Sequence, residues 1–364
     1  MRFMLCKKKF MKYLKVILVI FVLLLATSCG AYYRMITVID KNGNVKREIY
    51  AHGSKDVSAD GFTKNPFLFT PDATWDMNVF DSVVSYNFFG EVKEMNVRIS
   101  KQVKSIEQFT QDINVYKNER ALAVPDEILL KKRGWFFTRY LFKALYHKFI
   151  YDPPVSVDNY LSKEEQMLWS QGNLNNYNLM NGSEMSDYLN IIKGKFMKWY
   201  GYNLFETSLI CIKKLAENYD FDGDREKIYR QVIELIGDDL TKIDPGFICN
   251  VLDSYYNTRY FSKLYKTNDV ILDDDFDQAV AIESQIPDVV SYELVIQGTI
   301  IQTNAPIVEN NTLIWKVDGM RLLFDDFTLT AEYRAVNRWA FWVTGVLLIG
   351  AVVSCIVLFK KKVE

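Results

Sequence analysis

The sequence predicts an α+β fold: a mixed or antiparallel sheet formed by N- and C-terminal strands, a helical insertion between them, and one C-terminal transmembrane helix. Three observations predict it. Apolar and polar residues alternate near both ends of the chain, the apolar period lengthens toward 3.6 through the middle, and an uncharged run closes the sequence. The expected divisions are 1–28, a lipoprotein signal; 29–115, a β-rich half; 116–280, the helical insertion; 281–335, the returning strands; 336–359, the transmembrane helix; and 360–364, a cytoplasmic tail.

The first strands are Tyr33 to Asp40 and Val45 to His52, separated by Lys41-Asn42-Gly43-Asn44, and Asn-Gly is the favoured pair for a tight hairpin turn. Strand-forming residues recur through Asp81 to Ser100, and Ser105 to Gln108 has the capping-box pattern that opens a helix. From about Pro125 to Asn268 helical spacing is expected. Ser162 to Glu165 is a second capping box, and Leu189, Ile192, Phe196 and Trp199 form one helix face. Asp224 is placed to cap a helix carrying Ile228, Val232, Leu235 and Ile236, and Asp244-Pro245 sets a capping residue before proline at the first helical position.

Strand character returns at Tyr292 to Gln302, Thr312 to Val317 and Phe327 to Arg334. In the last, Phe327, Leu329, Ala331 and Tyr333 face one way and Thr328, Thr330, Glu332 and Arg334 the other. Because both ends of the domain adjoin an anchor, Tyr33 to His52 and Tyr292 to Arg334 are expected in one sheet drawn toward the lipid headgroups.

The anchors themselves are read from composition. Arg2, Lys7, Lys8, Lys9, Lys12 and Lys15 precede the apolar run Val16 to Leu25 and the small residues Ala26-Thr27-Ser28 before Cys29. A basic region, a short apolar region and a small-residue cleavage site make a secretory signal. Small residues directly before a cysteine resemble the bacterial lipobox, which makes Cys29 the expected lipidation site. Trp339 to Phe359 is uncharged throughout, about 31 Å at helical rise, and runs into Lys360, Lys361 and Lys362. Trp339, Phe341 and Trp342 supply an interfacial aromatic belt, and the lysines mark the cytoplasmic side. The expected location is the inner (cytoplasmic) membrane, with the domain periplasmic or extracytoplasmic.

Forty-four basic residues oppose 45 acidic ones; without the six basic residues of the signal, 38 remain against the same 45, a net charge of −7. A net acidic exported domain without a basic stripe argues against nucleic acid as a partner. Cys211 and Cys249 are the two cysteines able to pair in such a domain, and both fall on expected helices, where two buried thiols are the simpler reading.

Chemistry is sparse. Asp220-Phe-Asp222-Gly223-Asp224 suggests a calcium loop, but counting from Asp220 the sixth and twelfth places hold Arg225 and Gln231 in place of glycine and glutamate. An acidic turn capping the next helix fits better, and Asp273 to Asp277 reads as a solvated linker. His52 and His147 have no ligand-spaced partners, and no GxSxG or glycine-rich phosphate loop occurs. Accordingly no catalytic, metal or cofactor-binding residue is assigned. Aromatic patches at Trp135-Phe136-Phe137, Trp199-Tyr200 and Tyr255-Tyr256 through Tyr260-Phe261 suit either a groove for acyl chains or glycan, or an ordinary core.

The stretch Ile300-Ile-Gln-Thr-Asn304-Ala305, then Val308 to Val317 with Trp315, then a strand entering a membrane helix with a basic tail, resembles the LppM-type exported lipoproteins. In that family a lipobox signal, a small α+β domain with an asparagine-to-tryptophan hairpin and a terminal transmembrane helix recur. The resemblance covers the first few dozen mature residues and about the last eighty; the large helical block departs from the compact family pattern. It implies an α+β domain tied to envelope lipid handling, with Asn304 a turn former and Trp315 a core aromatic, and no catalytic residues to carry over. Taken together, the expectation is a membrane-tethered, non-catalytic binding or scaffolding lipoprotein, whose partners are the membrane and either a lipid or another envelope protein. A lipid-binding or lipid-transfer protein is the alternative, and an envelope hydrolase the third.

Overall fold

The computed structural model describes residues 31–363 except 41–42, 54–56, 59–60, 63–65, 112–121, 123, 173–179, 217–218, 220, 222 and 238. The signal, Cys29 and most of the acidic turn at Asp220 therefore lie outside the described residues. The fold is α+β with a mixed main sheet, and the chain forms two units: 31–147 with 287–319 and 326–363, and 148–286 with 320–325.

The first unit holds all the described strands: β1 (Tyr32–Ile39), β2 (Val45–Ala51), β3 (Val57–Ser58), β4 (Gly61–Phe62), β5 (Asp76–Phe88), β6 (Glu91–Val103), β7 (Asp126–Arg133), β8 (Phe137–Tyr146), β9 (Val289–Ile296), β10 (Thr299–Thr303), β11 (Ile307–Glu309), β12 (Thr312–Asp318) and β13 (Phe327–Val336). Seven form a sheet in the order β11-β12-β9-β1-β2-β6-β5, and four form a second sheet, β10-β13-β8-β7. The hairpin β1–β2 is as expected: Gly43 takes φ +96°, a left-handed turn conformation that glycine adopts without steric cost, and Asp40 N–H donates to the Asn44 carbonyl at 3.0 Å. The returning strand expected over Tyr292 to Gln302 is divided into β9 and β10. Of the returning strands, β9 and β12 do share a sheet with β1 and β2, but β10 and β13 belong to the other one. Moreover β1 pairs with β9 in parallel, Tyr32 opposite Val289 through Ile39 opposite Ile296.

The two sheets face each other. Tyr140, Phe142, Ala144 and Tyr146 of β8 are buried, and the Phe142 ring lies 6.0 Å from Tyr292 and 6.4 Å from Trp315 of the larger sheet. A short helix α1 (Glu107–Gln111), beginning within the predicted capping box, places Phe109 under the Arg47 guanidinium at 4.2 Å. Between the sheets lies a closed polar cluster: Arg47 donates from Nη2 to both oxygens of Glu127 at 2.6 and 2.8 Å and from Nε to Thr37 at 3.1 Å, while the Tyr292 hydroxyl also donates to Glu127. The expected helical insertion from residue 116 is corrected here, since 126–146 form β7 and β8. On β8 the outward positions Phe137 and Leu141 are themselves apolar, which blurs the alternation that would have marked the strand.

The second unit is helical: α2 (Lys163–Gln171), α3 (Gly182–Leu215), α4 (Arg225–Ile236), α5 (Pro245–Tyr256) and α6 (Tyr260–Ala279). The predicted caps appear where the side chains can reach. Ser162 and Glu165 close a full capping box, and Asp244 accepts from Phe247 N–H at 2.7 Å. Asp224 stands at the N-cap position but bonds Lys227 rather than the backbone. Asp273 to Asp277, expected as a linker, lies within α6, where Asp273 accepts from Tyr265 and Asp275 pairs with Lys214 at 2.7 Å. Ile192, Phe196 and Trp199 are buried on one face of α3, and Trp199 Nε1 donates to the Val155 carbonyl at 2.8 Å. Cys211 and Cys249 are both free and buried.

Glu283 is buried in this unit among neutral groups. Its Oε1 accepts from the Tyr151 hydroxyl at 2.5 Å and from Asn203 Nδ2 at 3.0 Å, and burial pushes its carboxyl above the usual range. A carboxyl whose pKa is higher folded than unfolded binds more protons in the folded state. Its effect on stability is therefore unfavourable above the unfolded value, growing as pH rises through the folded one. Glu283→Gln is expected to be more stable than the parent chain at pH 8 by on the order of 1 kcal/mol, with the gap closing by pH 4. Amide exchange in α3, which carries Asn203, compared between the two chains at each pH checks this; an equal gap at both would show that Glu283 ionisation is not the cause.

Candidate membrane-interface site

The last strand passes into the apolar helix almost without a linker. β13 ends at Val336, Asn337 follows, and α7 (Arg338–Val363) begins at once. Residues Arg338–Ile356 have a mean hydropathy of 2.1, so by length and composition α7 is able to cross a bilayer.

The start of α7 is gripped by the β7–β8 turn, some two hundred residues earlier in the chain. Gly134 N–H donates to the Phe137 carbonyl at 2.9 Å, leaving Trp135 and Phe136 at the tip; a Cβ on Gly134 would stand 2.7 Å from that same oxygen. The tip lies along the helix: Trp135 packs edge-on to Trp339 with centroids 5.1 Å apart, Phe136 lies 4.8 Å from Phe341, and Phe137 6.4 Å from it. Trp135 Nε1 donates to Thr344 Oγ1 at 2.9 Å. Thr344 is six residues beyond Arg338, so the tip reaches about 9 Å down the helix axis.

Asn337 joins the two pieces. Its Nδ2 donates to the carbonyls of Gly134 and Trp135 at 2.8 and 3.1 Å, its Oδ1 accepts from Thr138 at 3.0 Å, and its backbone N–H donates to Phe136 at 2.8 Å. One side chain thus satisfies the turn carbonyls while setting the exit direction of the helix.

Cations surround this root on both faces of the smaller sheet. Lys132, Arg139 and Arg334 are direct neighbours across β7, β8 and β13, so they form one row on the outer face. Arg139 reaches Glu332 at 3.6 Å, and Arg334 lies 4.9 Å from the Phe137 ring centroid. On the other face, Lys131 and Arg133 lie opposite Tyr140 and Thr138. That face is closed at Glu127 and open by Arg133, and there a cleft of about 800 Å³ is lined by Lys131, Arg133, Gln297, Arg338 and Trp339, with no carboxylate among its lining residues.

The aromatic patch at 135–137 is therefore an exposed collar, half-covered by the helix. By contrast Trp199 and Phe261, from the other two patches, are core residues. His147 accepts or donates at Asp126, 2.8 Å away, with Asp326 at 3.5 Å, and these carboxylates raise its pKa. His52 is exposed beyond β2. Asn304 and Trp315 meet directly, Trp315 Nε1 donating to Asn304 Oδ1 at 2.9 Å. The cations and Asn337 carried no separate signal in the sequence, although the basic-aromatic string Lys131-Lys-Arg-Gly-Trp-Phe-Phe137 has the composition of an interfacial segment.

The first described residue sits far from this root. Ala31 N–H donates to Asp288 at 2.7 Å and its carbonyl accepts from Val289, at the start of β9, whereas Gln297, just past the end of β9, lines the cleft. The eight residues of β9 separate the two by about 26 Å. The expectation that both anchors draw the same sheet toward the headgroups is corrected here: β1 belongs to the larger sheet, whereas β13, which leads into α7, belongs to the smaller one.

No family model matches the chain, and no curated protein matches it. Among solved structures, the folded domain of LppM from Mycobacterium tuberculosis, determined by NMR, is similar at 9% identity, with 85% of this chain and 92% of that chain covered and a TM-score of 0.28.

Proposed function

We propose that the protein is a membrane-tethered, non-catalytic binding or scaffolding module, held on the outer face of the inner membrane by α7 and by an acyl chain on Cys29. The packing of the Trp135 tip against Trp339 and Thr344 carries this reading: aromatic side chains from two distant segments gather at the root of the long apolar helix α7, where a bilayer interface favours them. In this arrangement Lys360 to Lys362 lie in the cytosol.

Double anchoring has a geometric consequence. Cys29 and Gly30 span at most about 7 Å, so an acylated Cys29 requires β1 and β9 to lie along the bilayer rather than stand upright on it. A reporter fused after Glu364 is expected to work only where it is active in the cytosol. Palmitate labelling should disappear in Cys29→Ser while the protein stays in the membrane fraction, because α7 inserts independently of acylation. Reporter activity outside the cytosol would overturn the orientation, and labelling that persists in Cys29→Ser would overturn the lipid site.

A further inference from the structure

We infer that the cleft between Lys131, Arg133 and Arg338 binds the phosphate headgroup of an anionic phospholipid from the leaflet in which α7 is rooted. The inference rests on the tethered reading above and names what the tethered domain recognises.

Four observations lead to it. The cleft offers about 800 Å³ with three cationic side chains and no lining carboxylate, so it favours an anion. Trp339 forms part of its wall and Arg338 opens α7, which puts the cleft at the depth where headgroups lie if the helix crosses the bilayer. The row Lys132, Arg139 and Arg334, where Arg139 also reaches Glu332 at 3.6 Å, makes the opposite face of the sheet cationic at the same level, so the helix root is positive on both faces. The same sheet carries Asp126 at the far end of β7, beside His147 and near Asp326, with Lys143 partway along β8, so its positive charge is concentrated at the helix root rather than spread evenly along the strands.

Lipid is a better match than soluble phosphate because the cleft adjoins the aromatic collar. A phospholipid places its phosphate among the cations while its acyl chains run down beside Trp135 and Phe341, whereas a free anion leaves that apolar wall unused.

The test uses the full-length protein in vesicles of equimolar phosphatidylglycerol and phosphatidylcholine, extracted gently and weighed by native mass spectrometry to count each bound lipid. Two charge-matched triple variants are compared: Lys131→Gln/Arg133→Gln/Arg338→Gln in the cleft, and Lys132→Gln/Arg139→Gln/Arg334→Gln on the outer row. Wild type is expected to retain phosphatidylglycerol preferentially, the cleft variant to lose that preference by about tenfold, and the row variant to keep most of it. Equal loss in both variants would mean diffuse attraction to a charged surface and would overturn the cleft. Displacement of the bound lipid by millimolar glycerol 3-phosphate would assign the site to soluble phosphates instead and overturn the lipid. The tether is read separately, as the part of tryptophan quenching by dibrominated phosphatidylcholine that Trp135→Phe removes. Quenching at Trp135 with no lipid preference sinks the cleft alone; no quenching at Trp135 sinks the tethered geometry and the cleft with it.

Discussion

Glu127→Ala is expected to destabilise the strand unit by about 3–5 kcal/mol, because it leaves a guanidinium sealed between two sheets without its counter-charge. Arg47 is 1% exposed and Glu127 is 3% exposed, so water cannot enter to replace the lost partner. Thr37 and Tyr292 remain as neighbours, but Tyr292 loses the acceptor for its own hydroxyl, and burial with the adjacent Glu127 already holds that phenol well above its usual pKa. The double variant Arg47→Met/Glu127→Leu should cost much less than the sum of the single changes, since removing both charges also removes their desolvation penalty. Because the chain has two units, a single melting temperature is a poor readout. Amide exchange in β1, β2 and β9 of the full chain is the measurement to make. Unchanged protection in Glu127→Ala would show that the pair contributes nothing to holding the sheets together.

Trp315→Ala should have an effect of similar size, about 3–5 kcal/mol, for a different reason. The indole is 1% exposed and lies against Tyr292 and Phe142, so truncation opens a cavity between the sheets. It also removes the bond from Nε1 to Asn304 Oδ1, the oxygen that accepts from Thr330 N–H of β13 at 2.8 Å as well. Asn304 Nδ2 donates to the Thr328 carbonyl at 2.7 Å, so this one asparagine links β12 of the larger sheet to β13 of the smaller. Trp315→Phe separates the two contributions: it keeps most of the packing and loses only the hydrogen bond, for an expected cost of about 1 kcal/mol. Chemical denaturation of the three chains, followed by near-ultraviolet dichroism, checks the order. If Phe were as damaging as Ala, the bond to Asn304 rather than the packed volume would dominate.

Both residues show how a sequence can identify a part without showing what it joins. The resemblance to the LppM-type lipoproteins implied Asn304 as a turn former and Trp315 as a core aromatic. That they bond each other across two sheets was not legible, because a side-chain pair between sheets leaves no period in the sequence. Arg47 lies on a strand the sequence predicts, but Glu127 falls in the stretch where helical spacing was expected; only the fold, which lays the second sheet over β2, makes them a buried pair.

What the sequence determined by itself was local. The turn at Gly43, the capping box of Ser162 and Glu165, the Asp244-Pro245 helix start and the apolar length of α7 are each encoded within a few neighbouring residues, where φ preferences, side-chain reach and hydropathy act directly. Tertiary structure decided the pairings. The parallel match of β1 to β9, the division of the returning strands between two sheets and the seating of Trp135 beside Thr344 depend on which apolar faces cover one another after the chain has closed loops of some two hundred residues. On β7 and β8 exposed Ile128, Leu130, Phe137 and Leu141 share the outward face with Lys132 and Arg139, so the alternation that marks a strand was obscured there, and the candidate membrane-interface site came from the fold rather than from any motif.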